Sequence, residues 1–311
     1  MRTEKRPVAL TIGGFDGLHL GHQEIIRQVC EIAREINGIS ALLTFHPLPG
    51  QTILSEFPYI LTPLEEKIPL LTELGIEFTR VLEFNTHLQA TEPEEFIHRH
   101  IIADFDPAVI VIGADHRFGR QGRGDPVLLN QLLQPRGIKV KVVPDVIHLG
   151  APVRSTRIRE HLLLGHVRLA GELLGRPYSL TGRVVPGTGT GRKLGFPTIN
   201  LQPREKEKLI PMEGVYAVIA DTSVAMFPGV VNIGFRPTFG GKDRAIEAHL
   251  FNYPEDAGPV NTITIHFLER LRPERPFSTP AELCQQIKQD IARAQELFCT
   301  HRAFRSIMPP V

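Results

Sequence analysis

The chain has 311 residues, 42% of them hydrophobic and 22% charged, and its 35 Lys and Arg against 34 Asp and Glu leave a net charge of +1. That length suits roughly two domains, each with its own core, and the balanced charge excludes an extended nucleic-acid surface, which needs a basic excess, while small anionic ligands stay open. Cys30, Cys284 and Cys299 form no close-spaced pair, so neither a disulfide framework nor a thiolate zinc site is expected and a reducing cytoplasm fits.

The N-terminal Met1-Arg-Thr-Glu-Lys-Arg-Pro7 is charged, and the apolar run before Gly13-Gly14 is too short for a signal sequence or a membrane span. Val8–Ile12 reads as a strand, followed by a tight turn and a helix with Ile25, Val29, Ile32 and Ile36 on one stripe. Ile39–Phe45 is a second buried strand. Thr62-Pro63-Leu64-Glu65 is a capping box with proline at the first helical position, and Gly75 ends that helix. Strand character returns over Ile76–Phe84, Thr91-Glu-Pro-Glu94 opens another capped helix, and Ala108–Gly113 is a β-branched run stopped by glycine. Such alternation predicts an α/β domain, a parallel sheet covered by helices with ligands at the carboxyl ends of its strands.

Polar clusters follow three of those strands: Gly13–His22, Phe45-His46-Pro47 and Gly113–Gly119. A fourth, Val153–Arg159, opens a helix ending near Gly165. His19-Leu-Gly-His22 sets two imidazoles one turn apart at a helix N-terminus, where amides and dipole favour an anion, and Gly21 lets a nucleotide approach. Capping residues, or metal ligands together with Asp16, are the alternatives. A helix finishes at Gly175, and the domain boundary is placed there, giving domains of residues 1–175 and 176–311.

Beyond it, Tyr178–Val185, Val215–Ala220, Val230–Gly234, Ile246–Phe251 and Thr262–Leu268 are short runs separated by turn residues. A capping box at Thr279-Pro-Ala-Glu282 starts a helix running to about Phe298, so a small antiparallel β-barrel closed by a helix is expected. Between the first two strands lies Gly182–Leu201. Gly187, Gly189 and Gly191 alternate with threonines and can turn backbone N–H groups toward an anion, with Arg192 and Lys193 adding charge. A Walker loop is rejected, because Leu194-Gly195-Phe196-Pro197 stands where Ser or Thr and a helix would follow the lysine. Thr198 and Asn200 point to one face of a strand and could share a cation such as Mg²⁺. The alternative is a hairpin loop and an edge strand with both residues solvated.

This stretch resembles the flavokinase signature, a glycine loop leading into Gly-Phe-Pro-Thr-Ala-Asn, with Ile199 in place of alanine. Gly214-Val-Tyr-Ala217, Val231–Thr238, Glu247-Ala-His-Leu-Phe251 and Phe267–Arg272 are similar to further phrases of that family. Gly14-Phe-Asp-Gly-Leu-His-Leu-Gly-His22 resembles the nucleotidyltransferase signature of bacterial FMN adenylyltransferases, and Arg154–Arg159 their second motif. The resemblance therefore implies a bacterial bifunctional riboflavin kinase and FAD synthetase: a Rossmann-like nucleotidyltransferase domain and a kinase barrel, using ATP and Mg²⁺, with riboflavin, FMN and FAD as substrates and products. It implies nucleotide contacts by Gly13, Phe15, Asp16, Gly21, Ser155, Thr156 and Arg159, and by Gly187, Gly191, Lys193, Gly195 and Pro197. His19 and His22 would stabilise the α-phosphate, Thr198 and Asn200 would surround the metal, Asp115, Phe118 and Arg272 would meet flavin, and Glu247 would be the general base. Three departures from the family pattern are Arg154 for a serine, His116 for an aromatic residue, and the order around His46. Expected partners are small molecules, with neither nucleic acid nor membrane, and the oligomeric state is left open. A flavin or nucleotide carrier without turnover, and a single-activity nucleotidyltransferase with a docking barrel, are the rival functions.

Overall fold

A strand buried on both faces needs apolar side chains at odd and even positions alike, and Val8-Ala-Leu-Thr-Ile12 meets that demand. In the computed structural model, which describes residues 6–53, 59–187, 189–222, 225–238, 241–254 and 260–300, β1 (Val8–Ile12) is buried throughout. Leu10 and Ile12 enter one core and Ala9 the opposite one. Residues 1–5 and Thr188, parts of the N-terminal segment and the glycine loop in the sequence reading, lie outside the described residues. By its contacts the chain divides into two units, Met1–Ser155 and Thr156–Val311.

In the first unit β2 (Ile39–His46), β3 (Phe78–Glu83), β4 (Val109–Gly113) and β5 (Lys139–Val143) join β1 in the order β3-β2-β1-β4-β5, every pair parallel. The order reverses at β1, so the crevice between the carboxyl ends of β1 and β4 is the ligand position of such sheets. One face is covered by α1 (Leu20–Glu35) and α3 (Leu64–Glu73), which supply Ile26, Val29, Ala33 and Leu71. The short α2 (Pro49–Ile53) follows β2. On the other face lie α4 (Thr86–Ala90), α5 (Pro93–Phe96), a π-helical turn over Ile97–Ile102, α6 (Ala103–Phe105) and α7 (Pro126–Leu133), bringing Leu88, Phe96, Ile101, Phe105 and Leu129. A hairpin of β6 (Ile147–His148) and β7 (Ala151–Pro152) follows β5. The sequence reading lacks β5, whose Lys-Val-Lys-Val alternation marks a half-exposed edge strand.

Two expected helix caps are corrected. The Thr62 amide is taken by the Asp16 carboxylate at 2.9 Å, and α3 begins behind Pro63 with no side-chain cap. The Thr91 hydroxyl donates back to the His87 carbonyl at 2.9 Å, and α5 is preceded by Glu92, likewise without a side-chain cap. In both places a tertiary or preceding-turn acceptor wins over the local cap.

The second unit starts with α8 (Ser155–Leu163), which begins on the last residue of the first, and α9 (Val167–Leu174), ended by Gly175 at φ 69°. Six strands follow: β8 (Tyr178–Val185), β9 (Ile199–Pro203), β10 (Gly214–Asp221), β11 (Met226–Thr238), β12 (Gly241–Leu250) and β13 (Thr262–Arg272). They close into an antiparallel barrel in the order β10-β11-β12-β9-β8-β13. Successive side chains alternate across the wall. Tyr216 turns inward, meeting Phe267 edge-on at 5.4 Å, while Val215, Ala217 and Ile219 face out toward Ala294 and Phe298 of α11 (Pro280–Thr300). The expected cap at α11 forms through Thr279 Oγ1, which accepts the Glu282 amide at 3.2 Å, while the Glu282 carboxylate accepts the amide of Ser278, one residue before the cap, at 3.2 Å. The division at Ser155 precedes the Gly175 boundary of the sequence reading, since α9 packs on β8 and β13.

Candidate active sites

The first site grows from the end of β1. Gly13 donates to the Leu43 carbonyl at 3.0 Å, and the chain then turns through positive φ at Phe15 (48°), Gly17 (90°) and Leu18 (45°) before α1 begins. His19 is the N-cap, its Nδ1 accepting the His22 amide at 3.4 Å, so the neutral ring carries its proton on Nε2. A Cβ on Gly21 would lie 3.2 Å from the His19 ring, and glycine there lets that ring cap the helix. The two imidazoles stack at 3.7 Å with their planes 18° apart. Burial holds the His22 pKa well below the ordinary imidazole value, reinforced by His19, Lys67 and Arg154. His22 Nδ1 is buried and has no hydrogen-bond partner among the described residues.

Several residues of the expected site are engaged within the protein. The Asp16 carboxylate is buried and accepts the amides of Leu61 and Thr62 at 2.9–3.1 Å, which removes the metal-ligand alternative for it and makes it a clip on the loop. Phe15 and Phe118 are 4% and 6% exposed and fill the two cores, Phe118 lying against His116 at 5.8 Å and Phe96 at 6.0 Å. Arg154 is paired with Asp115 at 3.0 Å and Asp145 at 2.7 Å, so its charge and that of Asp115 answer each other. Ser155 donates to the Asp16 carbonyl at 2.7 Å, and Thr156 and buried Arg159 follow it in sequence on α8. His46 is exposed at the end of β2.

Two further buried polar groups of this unit lie outside the expected set. Lys67 of α3 is 2% exposed and donates to the Gly14 carbonyl at 2.7 Å. A charged residue one turn before buried Leu71, on the same apolar face, was its signal in the sequence. His116 Nε2 is buried without a partner among the described residues, and burial brings its pKa down to about 4.

The second site lies on the outer wall of the barrel. β9 pairs with β8 on one side and β12 on the other, which rules out the edge-strand alternative. Asn200 is the register partner of Glu247, and Glu247 that of Asn232 on β11, so the three side chains stand in one row across three strands, with opposed Cβ atoms about 5 Å apart. Ile246, Ala248 and Leu250 are buried while Glu247 and His249 are half-buried on the other face. Glu247, Asn232, His249, Thr198, Gly191 and Arg272 line a cavity of about 290 Å³, with Val215, Val230, Leu283 and Ile287 forming its apolar side. Asn232 and His249 were visible in the family phrases; their facing the cavity depends on register.

The glycine loop contains one helical turn, α10 (Thr190–Lys193), entered through Gly189 at φ 70°. Gly187 and Gly191 serve by lacking a side chain: a Cβ on Gly187 would strike the Asn200 carboxamide, and one on Gly191 the Phe196 carbonyl and, at 2.9 Å, Thr198 Oγ1. Lys193 ends the turn exposed, as are Gly195 and Pro197. The Pro197 carbonyl is bonded to His249 Nδ1 at 2.8 Å, tying loop to barrel. Arg272 is held by the buried Asp290 carboxylate of α11 through contacts of 2.9–3.0 Å and lies 5.6 Å over the Phe277 ring. It shapes the cavity wall with its guanidinium already engaged.

Residues 1–157 match the FAD synthetase family model and residues 174–298 the riboflavin kinase model. The chain is 34% identical over 307 residues to a bifunctional riboflavin kinase/FMN adenylyltransferase of Bacillus subtilis, covering 97% of this chain and 96% of that one. It is 33% identical over 291 residues to the protein of the same description from Escherichia coli K12, covering 93% and 92%. A crystal structure from Streptococcus pneumoniae called a macrolide-efflux protein matches with a TM-score of 0.86 and 28% identity over 94% of this chain and 95% of its own. Among the described residues of this chain no helix is long and apolar enough to cross a membrane. With a parallel-sheet unit matched to the FAD synthetases and a closed barrel matched to the riboflavin kinases, the chain belongs to the bifunctional riboflavin kinase/FMN adenylyltransferases.

Proposed function

We propose that the enzyme's two reactions run at the two sites above, with riboflavin phosphorylated on the barrel and FMN adenylylated at the β1–α1 turn. The functional boundary lies at Gly175, and the enzyme works in the cytoplasm on small-molecule substrates. The row Asn200–Glu247–Asn232 carries the kinase assignment. Glu247 takes the proton of the terminal ribityl hydroxyl as that oxygen attacks the γ-phosphorus of ATP and ADP leaves. The glycine loop brings backbone N–H groups to the nucleotide, and Arg272, fixed by Asp290, bounds the flavin side of the cavity.

The Thr198 hydroxyl and the Asn200 carboxamide oxygen are hard, neutral donors of the kind Mg²⁺ accepts when nucleotide phosphates supply other ligands. Among the described residues no group of three or more His, Cys, Asp or Glu is arranged to hold an ion. When bound, the ion neutralises charge on the phosphates.

At the other site an FMN phosphate oxygen attacks the α-phosphorus of a second ATP and pyrophosphate leaves, with no covalent enzyme intermediate. His19 and His22, at the N-terminus of α1, stabilise charge on the α-phosphate oxygens. Ser155, Thr156 and Arg159 serve the β- and γ-phosphates.

Incubation with riboflavin, ATP and Mg²⁺, resolving FMN from FAD over time, tests the assignment when paired with Asn200→Ala. That variant should accumulate no FMN from riboflavin yet convert added FMN to FAD. Normal FMN formation would remove the barrel row from the kinase mechanism, and binding of flavin without turnover by the unaltered protein would favour the carrier.

A further inference from the structure

Lys67 is among the largest fully buried side chains of the molecule, yet a lysine in a core is costly unless its charge is used. Methionine would fill the same space against Leu71 without that cost. The ammonium reaches the Gly14 carbonyl at 2.7 Å, in the turn that leads to His19 and His22. Thr44 Oγ1 also donates to that carbonyl, at 3.4 Å. Two residues on, Asp16 holds the amides of Leu61 and Thr62, which lead into the helix carrying Lys67. Turn and helix are thus tied twice, once by a carboxylate from the turn and once by an ammonium from the helix.

A hydrogen-bonded strut does not require a charge, and two features show where the charge acts. Asp16 favours the charged form of Lys67 against its burial, and the pKa settles at about 8, leaving the group cationic at neutral pH. The same charge acts on His22, alongside those of His19 and Arg154, in holding that imidazole neutral. Arg154 is itself paired with Asp115 and Asp145, so its field is partly cancelled. Beneath a turn whose outer side meets phosphates, a desolvated cation is little screened.

We propose that Lys67 is a positioning residue for adenylyl transfer, a fixed buried cation that shapes the Gly13–His22 turn through the Gly14 carbonyl. This rests on the reading that His19 and His22 serve that reaction. The cation lends positive potential to the phosphate side of the turn.

Three full-length variants separate charge from shape. Lys67→Arg keeps charge and donor, Lys67→Gln keeps a donor for Gly14, and Lys67→Met keeps only bulk. Circular dichroism and thermal melts first establish folding, and riboflavin phosphorylation in the same polypeptide is the internal control. Lys67→Gln and Lys67→Met should lower kcat for FMN adenylylation by about 10- to 100-fold, less than or equal to the loss of a direct oxyanion donor, while Lys67→Arg stays within about threefold of the parent. In the Gln variant, the His22 pKa followed by NMR should rise. Wild-type adenylylation in a folded Lys67→Gln, an unchanged His22 titration, or an Arg variant as impaired as Gln would overturn the inference. Should Met fail to fold, the Gln and Arg pair decides. His22→Ala is assayed in parallel: if it retains FAD synthesis the reading of the site falls, and if it loses FAD synthesis while Lys67→Gln does not, the role of Lys67 alone falls.

Discussion

Glu247 of β12 stands opposite Asn200 of β9 and, on its other side, opposite Asn232 of β11. A carboxylate with a carboxamide-bearing residue on either side shares a cavity lining with Val215 and Val230, and the proposed kinase role rests on that arrangement. Gly187 keeps the space over Asn200 clear.

Replacing Glu247 with Gln preserves shape and removes the base. FMN formation should fall by about 10²- to 10⁴-fold, the span for a lost general base, while conversion of added FMN to FAD stays near normal. Steady-state assays of each half-reaction check this, and an unchanged kinase rate removes Glu247 from the mechanism.

The mirror experiment uses His22→Ala with His19→Ala as a companion. Adenylyl transfer should drop by about 10²-fold or more and riboflavin phosphorylation should persist. Because His19 caps α1 through its Nδ1, its variant should also lose about 1 kcal/mol of stability, read from denaturant melts, whereas His22→Ala should not lose that cap. Full FAD synthesis in the double variant would contradict the role given to both rings.

His116 gives a pH signature. Its folded pKa is about 4 against an ordinary 6.5, through burial, so below pH 6.5 the unfolded chain binds a proton that the folded chain refuses. The stability concerned is fully present above pH 6.5 and is lost as pH falls from 6.5 to about 4, amounting to about 3 kcal/mol; His22 and His100, also depressed by burial, act in the same direction. His116→Phe removes the buried nitrogen and keeps a ring against Phe118. It should raise stability and flatten the loss between pH 7 and pH 5, measured by denaturant melts at both. An equal slope in the variant assigns the acid sensitivity elsewhere.

Separating the activities depends on where the cut is made. Val167, Ala170, Leu173 and Leu174 of α9 are essentially buried, and α9 packs on β13 and β8, with each fully buried Val or Leu contributing about 1.5–3 kcal/mol. Residues 156–311 should therefore form a more stable riboflavin kinase than residues 176–311, which lack that helix. Thermal melts followed by kinase assays of both fragments test this; a 176–311 fragment of equal stability would show that α9 contributes nothing to the barrel. A well-folded 156–311 that binds ATP and riboflavin without forming FMN would end the two-module reading.

The alternation of apolar runs along the chain was enough to specify a parallel α/β unit followed by an antiparallel barrel, because burial on two faces or on one leaves different periods in the residues themselves. The short polar phrases around His19, Thr198 and Glu247 were legible through their resemblance to family signatures, since each residue taken alone also suits a capping, hairpin or solvated role. What tertiary structure alone decided was the direction each side chain takes. Phe15 and Phe118 stand within ligand-binding phrases yet complete the cores, and Asp16 clips the loop that precedes α3. Lys67 comes from a helix without a family phrase and reaches the Gly14 carbonyl beneath the turn, and Asn232, though within a family phrase, faces the cavity only through strand register. Contacts of that kind link positions far apart in the chain, and a local pattern carries no record of which distant backbone will supply the missing acceptor or the facing strand.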